Sequence, residues 1–141
     1  GDKIVGVGKF EVGRVARKID CQGLVVSPGF IDLHNHSDRQ VLDRKTRAVV
    51  NYLTQGCTTI VTGNCGSGPI DVGRYYDQID ERGAGVNVAH LLPQGTLRRE
   101  VMGSERRNAT ADEMKRMVEL THDSMRDGAW GVSTGLIYVP S

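Results

Sequence analysis

Residues 28–38 read PGFIDLHNHSD. A short apolar run ends in two histidines one residue apart, His34 and His36. Side chains alternate faces along a strand. If the run stays extended to residue 36, Ile31 and Leu33 share one face, while Asp32, His34 and His36 share the other. Two imidazoles about 7 Å apart at Cα by strand rise can tilt onto one metal ion at about 2.0–2.1 Å. The plainer alternative is a pair of polar residues where a strand meets solvent. A bare His-x-His pair does not separate the two, so the surroundings must.

Downstream, the periodicities alternate. Residues 39–55 place Leu42, Val49, Tyr52 and Leu53 on one helical face, with Gly56 as a stop. CTTIVTG (57–63) is rich in β-branched residues and predicts a strand. Residues 71–83 predict a short helix with Tyr75, Tyr76 and Ile79 as its apolar side, and VNVAHLL (86–92) a third strand. Residues 110–127 carry the clearest helix. Thr110 and Glu113 form a capping box, Met114, Met117, Val118, Thr121 and Met125 recur at helical spacing, and Gly128 is placed to end the helix. AWGVSTGLIY (129–138) predicts a fourth strand. Strand and helix alternate in repeats of roughly 30 residues, the order of a parallel α/β fold. The His pair sits at the C-terminal end of the first strand, where barrel enzymes keep their chemistry. Upstream, KIVGVGKF (3–10) and GLVVSPGF (23–30) predict short strands joined by turns.

Composition narrows the class. Of 141 residues, 38% are hydrophobic and 25% charged, and 18 basic against 17 acidic residues leave a net charge of +1. That balance gives no field toward nucleic acid or an anionic membrane. No apolar run approaches the ~20 residues of a membrane span. TLRREVMGSERR (96–107) has four arginines but no interleaved aromatic, so it predicts a solvated loop rather than a nucleic-acid patch. GNCGSGP (63–69) lacks the Lys-Ser/Thr of a phosphate loop and predicts a tight turn after a strand. Cys21, Cys57 and Cys65 are an odd number at wide spacing. They fit free thiols in a reducing, cytoplasmic setting.

The motif PGFIDLHNHSD resembles the opening metal motif of the amidohydrolase superfamily. IDCQGLVVSPGF (19–30) resembles the lead-in, where a small β domain hands over to a (β/α)8 barrel. GCTTIVTGNCG (56–66) and GAWGVSTGLIYVPS (128–141) resemble the D-aminoacylase branch, the N-acyl-D-amino-acid deacylases. The resemblance runs from about Lys3 to Ser141. It implies an α/β chain in which residues 1–27 are part of a small β-sandwich domain and residues 28–141 are the first four βα units, half of a TIM barrel. A complete barrel needs roughly 250 residues, so the family's two further histidine ligands and its general-base aspartate are expected beyond Ser141. The remainder of the barrel would complete the site, and this segment alone would be inactive.

The resemblance also implies a site. His34, His36 and Cys65 would be metal ligands, with zinc as the cofactor, one ion tight and a second weak. The substrate would be a small N-acyl amino acid, with no nucleic acid or membrane partner. A thiolate is a strong soft donor that a metal deprotonates outright. Read without the resemblance, Cys65 is first a small buried hydrophobe and only second a ligand. Tyr138 either lines a substrate pocket or packs in a wall. Arg98 matches a family arginine and would order a loop over the mouth of the site. Asp38 either orients a histidine or is solvated. His90 predicts a hydrogen-bonded core or strand-end residue ahead of one facing the lumen near the metal, Cys57 predicts a packed residue and His122 a surface one; Cys21 is assigned no role. The family's Gly-His pair is replaced here by Pro93 and Gln94. Two alternatives stay open: an amidohydrolase of cyclic amides, and a half-barrel that has lost catalysis. Cyclic-amide hydrolases usually use a carboxylated lysine after strand four, and no lysine lies between Lys115 and Ser141.

Overall fold

A computed structural model describes residues 3–9, 11, 13, 14 and 17–139. Its strands are all parallel. β1 (Phe30–Asp32), β2 (Cys57–Thr62) and β3 (Asn87–His90) form one sheet in that order. β4 (Leu92–Pro93) pairs with β5 (Val132–Ser133). Only Leu91 separates β3 from β4. Its N–H still reaches the Thr62 carbonyl at 3.0 Å, while Leu92 N–H turns to the Gly131 carbonyl at 2.8 Å. One run, residues 87–93, thus faces β2 first and β5 next. Parallel neighbours require long crossovers, and the helices supply them: α1 (Val50–Leu53), α2 (Val72–Arg82), and α3 (Gln94–Met102) with α4 (Ala111–Arg126). The alternation expected from the periodicities is therefore present.

The core lies between the sheet and the first two crossovers. Val41, Val49, Ile60, Tyr75, Ile79 and Val86 are buried together, with Leu42, Tyr52 and Val88 packed against them. Burying such a side chain contributes about 1.5–3 kcal/mol. Three of the four apolar residues expected to share a face in 39–55 do reach this core, but the single helix does not form. A 3-10 turn at Gln40–Leu42 and the one-turn α1 replace it. Asp43 accepts the Lys45 N–H at 2.8 Å and Thr46 donates to the Gln40 carbonyl at 3.0 Å. Such local bonds compete with helix. Val49 then adopts a left-handed conformation, φ 41°, and is buried.

Four further expectations change. Much of 96–107 is helix: α3 buries Leu97 and Met102, a pattern hidden among its arginines, and loop begins only at Gly103. The first strand stops at Asp32, four residues short of His36. The fourth strand keeps only Val132–Ser133 before a turn closed by Tyr138 N–H on the Gly135 carbonyl. Among the described residues before Phe30 there is no strand, and Ile4, Val5, Val7 and Val25 are exposed. Phe10 lies outside the described residues. β propensity reflects fit to a paired surface, and among the described residues no strand pairs with this segment.

The helix at 110–127 forms as expected, and its capping box is made. Glu113 accepts the Thr110 N–H and both ends of the Arg107 guanidinium, and these bonds hold its carboxyl down to about 2. Gly128 follows at φ 101°. The apolar stripe, however, is largely uncovered: Met114 and Val118 are 52% and 47% exposed.

Candidate metal centre

The chain leaves β1 with Asp32 accepting the His34 N–H at 2.9 Å. His34 and His36 are exposed, whereas Asn35, Ser37 and Asp38 are buried. Asn35 is the anchor that sequence reasoning missed. Its side chain donates to the Val61 carbonyl at 3.0 Å and accepts the Ser37 N–H at 3.1 Å. Its own carbonyl accepts from the Asn64 amide at 3.2 Å, which also reaches the Val61 carbonyl at 2.7 Å. Two buried asparagines therefore stitch the loop after β1 to the turn after β2. A polar residue between two histidines was the one visible hint.

The turn after β2 is more heavily constrained. Gly63, Cys65 and Gly66 all have left-handed backbones, at φ 78°, 55° and 71°. A Cβ on Gly63 would overlap the Leu91 carbonyl oxygen, so close approach as well as φ demands glycine there. For Cys65 the same conformation costs on the order of 1–2 kcal/mol, and such outliers gather at functional sites. Ser133 clamps the turn: its hydroxyl donates to the Gly63 carbonyl and accepts the Gly66 N–H at 3.0 Å. Asp38 accepts the Gly63 N–H at 2.7 Å. Asp38 is thus neither solvated nor bonded to His34 or His36; it holds the backbone that carries Cys65.

These two segments bring the expected trio together. Cys65 Sγ lies 3.2 Å from His34 Nε2, and the His34 and His36 rings are 5.6 Å apart at 77°. One donor atom from each of His34, His36 and Cys65 lies within 4.8 Å of the others. Ligands on a tetrahedral zinc stand about 3.3–3.6 Å apart, given bonds of about 2.0–2.3 Å. The Cys65–His34 spacing already falls near that, and small side-chain rotations bring in His36. Two borderline nitrogens and a soft sulfur suit zinc, and the exposed histidines leave a side open for an outside ligand. The Cys65 side chain points to the histidines rather than into the core.

A cavity of about 320 Å³ adjoins the trio, lined by His36, Cys65, Gly66, Ser67, Gly95, Arg99, Tyr138 and Val139. Tyr138 is where a pocket role requires it. Arg99 was not singled out from the sequence, where it looked like one loop arginine among four. Arg98 does not line this cavity. It donates to the Glu105 and Arg107 carbonyls at 3.2 and 2.6 Å, so it orders the loop after α3. With Tyr138, Met114 and Val118 it lines a wider cleft of about 1080 Å³.

His90 is a core residue, as expected, and wholly buried. Its ring bonds the Thr62 hydroxyl at 2.8 Å and the Pro69 carbonyl at 2.9 Å. The carbonyl can only accept, which places the proton on Nε2. Burial pulls the His90 pKa below its ordinary value, against the Pro69 bond and the Asp38 carboxylate 3.8 Å away. Tyr75 stacks beside it, with its phenol pushed up by burial. Cys57 is half-buried in β2 and His122 is exposed.

The chain is similar in sequence and fold to known proteins. The Amidohydrolase family model matches residues 17–139. The chain belongs to that family. It is 35% identical to a D-aminoacylase of Alcaligenes xylosoxydans xylosoxydans over 164 aligned residues, covering 100% of this chain and 34% of that protein. A solved D-aminoacylase, described for the functional role of its binuclear metal centre, is 37% identical with a TM-score of 0.72. It covers 79% of this chain and 28% of the other. The N-acyl-D-glutamate deacylase of Bordetella bronchiseptica, solved with zinc and a phosphonate mimic of its tetrahedral intermediate, is 30% identical with a TM-score of 0.74. The match covers 80% of this chain and 28% of that one. The chain spans about a third of the length of the curated relatives it matches.

Proposed function

We propose that the natural protein carrying this chain is a zinc-dependent hydrolase of N-acyl amino acids, of the D series, acting on a linear amide bond. On this reading the parallel units after residue 28 are the first half of a (β/α)8 barrel. His34, His36 and Cys65 hold the metal, one ion tightly and a second weakly. The single observation that carries the reading is the approach of Cys65 Sγ to His34 Nε2 across two separate segments. D-series preference rests on the relatives, a D-aminoacylase and an N-acyl-D-glutamate deacylase. The three free thiols fit a reducing, cytoplasmic setting.

Zinc bound there supplies Lewis acidity, drawing the pKa of a water toward ~7 and polarising a carbonyl. The chain's own residues prepare that site. Cys65 offers its sulfur from a backbone fixed by Ser133, Asp38 and Gly63, so the donor does not have to be ordered when the ion arrives. His34 and His36 offer ring nitrogens from a loop anchored at Asn35. Tyr138 walls the space in which the acyl amide would lie.

The test is metal analysis of the natural full-length protein beside its Cys65→Ala variant. Stoichiometric zinc is expected in the first and a large loss in the second. Hydrolysis of N-acetyl-D-amino acids should vanish with chelator, return with zinc and exceed that of the L enantiomers. Full zinc and undiminished turnover in Cys65→Ala would overturn the assignment, and a native protein without zinc would point to a half-barrel that binds but does not catalyse.

A further inference from the structure

We infer that Arg99 receives a carboxylate of the substrate in the cavity beside His36 and Cys65. This rests on the N-acyl amino acid reading and names the group that recognises the acid. The cavity joins two of the three donor residues to Arg99 and Tyr138 within about 320 Å³, a volume at the small end of ligand sites. Among the described residues no carboxylate lines it, and Arg99 is the one lysine or arginine there. An anion entering there meets a guanidinium with no carboxylate among the described lining residues.

Helical geometry puts Arg99 in place. Gly95 and Arg99 are four residues apart in α3 and share a face, and both line the cavity. Gly95 adds no side chain and keeps the space open. One guanidinium nitrogen of Arg99 donates to the Val139 carbonyl at 3.3 Å, which braces the side chain. Five N–H donors belong to the group, so a single carbonyl leaves most of the planar fork for a carboxylate, which it fits in bidentate fashion. An N-acyl amino acid carries its α-carboxylate two bonds from the scissile amide nitrogen. A ligand whose carbonyl sits at the trio can therefore extend its acid toward Arg99.

The experiment compares Arg99→Gln and Arg99→Lys with the native full-length protein. N-acetyl-D-glutamate and N-acetyl-D-leucine are titrated calorimetrically and assayed for KM and kcat, with zinc content and melting temperature as controls. Arg99→Gln should weaken binding and raise KM by about tenfold or more, leave zinc content unchanged and be partly rescued by Arg99→Lys. Equal loss for both compounds identifies the α-carboxylate, and loss confined to glutamate the side-chain carboxylate; either supports Arg99. Unchanged affinity for both, or no binding of either to the native protein, overturns it. Loss of binding in Arg99→Gln alongside a native protein that binds without hydrolysing keeps Arg99 and sinks the hydrolase reading instead.

Discussion

The loop after β1 carries two of the trio and the turn after β2 only one, yet the turn is the more tightly specified. His34 and His36 sit exposed on a backbone whose intervening residue, Asn35, is the anchor. Cys65 is reached through three left-handed residues, clamped by Ser133 on one side and Asp38 on the other. The histidines can be supplied by an ordinary loop because imidazoles on exposed side chains can reorient toward an ion. A cysteine has a single rotatable bond before its sulfur, so the backbone must do the aiming.

That contrast can be broken or sharpened by substitution. The largest effect is expected from Gly63→Ala, which meets the Leu91 carbonyl and an unfavourable φ at once. A stability loss of about 3 kcal/mol or more, together with loss of zinc, should appear in urea unfolding and metal analysis. A mild effect would mean the turn is soft. Ser133→Ala comes next. It strips a partner from the buried Gly63 carbonyl and Gly66 N–H, at a cost of about 1–3 kcal/mol, and should weaken zinc retention without touching a donor.

Acid should act on the same side, because His90 packs beneath Gly63 and Gly68. Its folded pKa lies below the ordinary 6.5, so the unfolded chain takes the proton first. Its contribution is intact above about pH 6.5, shrinks as pH falls from there toward the lowered folded value, and changes no further below that. Unfolding midpoints between pH 8 and 5 follow this, and His90→Gln should flatten that part of the profile. The smallest stability effect is expected from His34→Ala and His36→Ala, within about 0.5 kcal/mol when both forms are compared free of zinc, while zinc content falls. A large stability loss in either would erase the distinction between the two segments.

Much of this was visible in the residues. The β-branched run of β2, the capping box of α4 and the buried Tyr75–Ile79 side of α2 follow from periodicity, and the histidine pair and Cys65 stand out by their motifs' resemblance to a metal-dependent family. What stayed hidden depends on contacts remote in sequence. The helix over 39–55 gave way where Asp43 and Thr46 bond locally to the backbone, and Val49 beyond them is buried in a left-handed conformation. The start of TLRREVMGSERR became helical because Leu97 and Met102 found a core, which in turn placed Arg99 beside the trio. Ser133 touches the Cys65 turn from 68 residues away, and nothing in either segment announces the other. The apolar face of α4 was legible as apolar, but Met114 and Val118 remain exposed in the described structure.

The left-handed backbone at position 65 also limits what evolution can exchange for its thiol. Beyond glycine, that conformation is taken most readily by asparagine, aspartate and histidine. Of these, aspartate keeps a negative charge while replacing a soft donor with a hard oxygen, the kind favoured by manganese or magnesium over zinc. On the proposed reading, the one residue at position 65 sets which cations the pocket prefers, and the residues that could replace it are few.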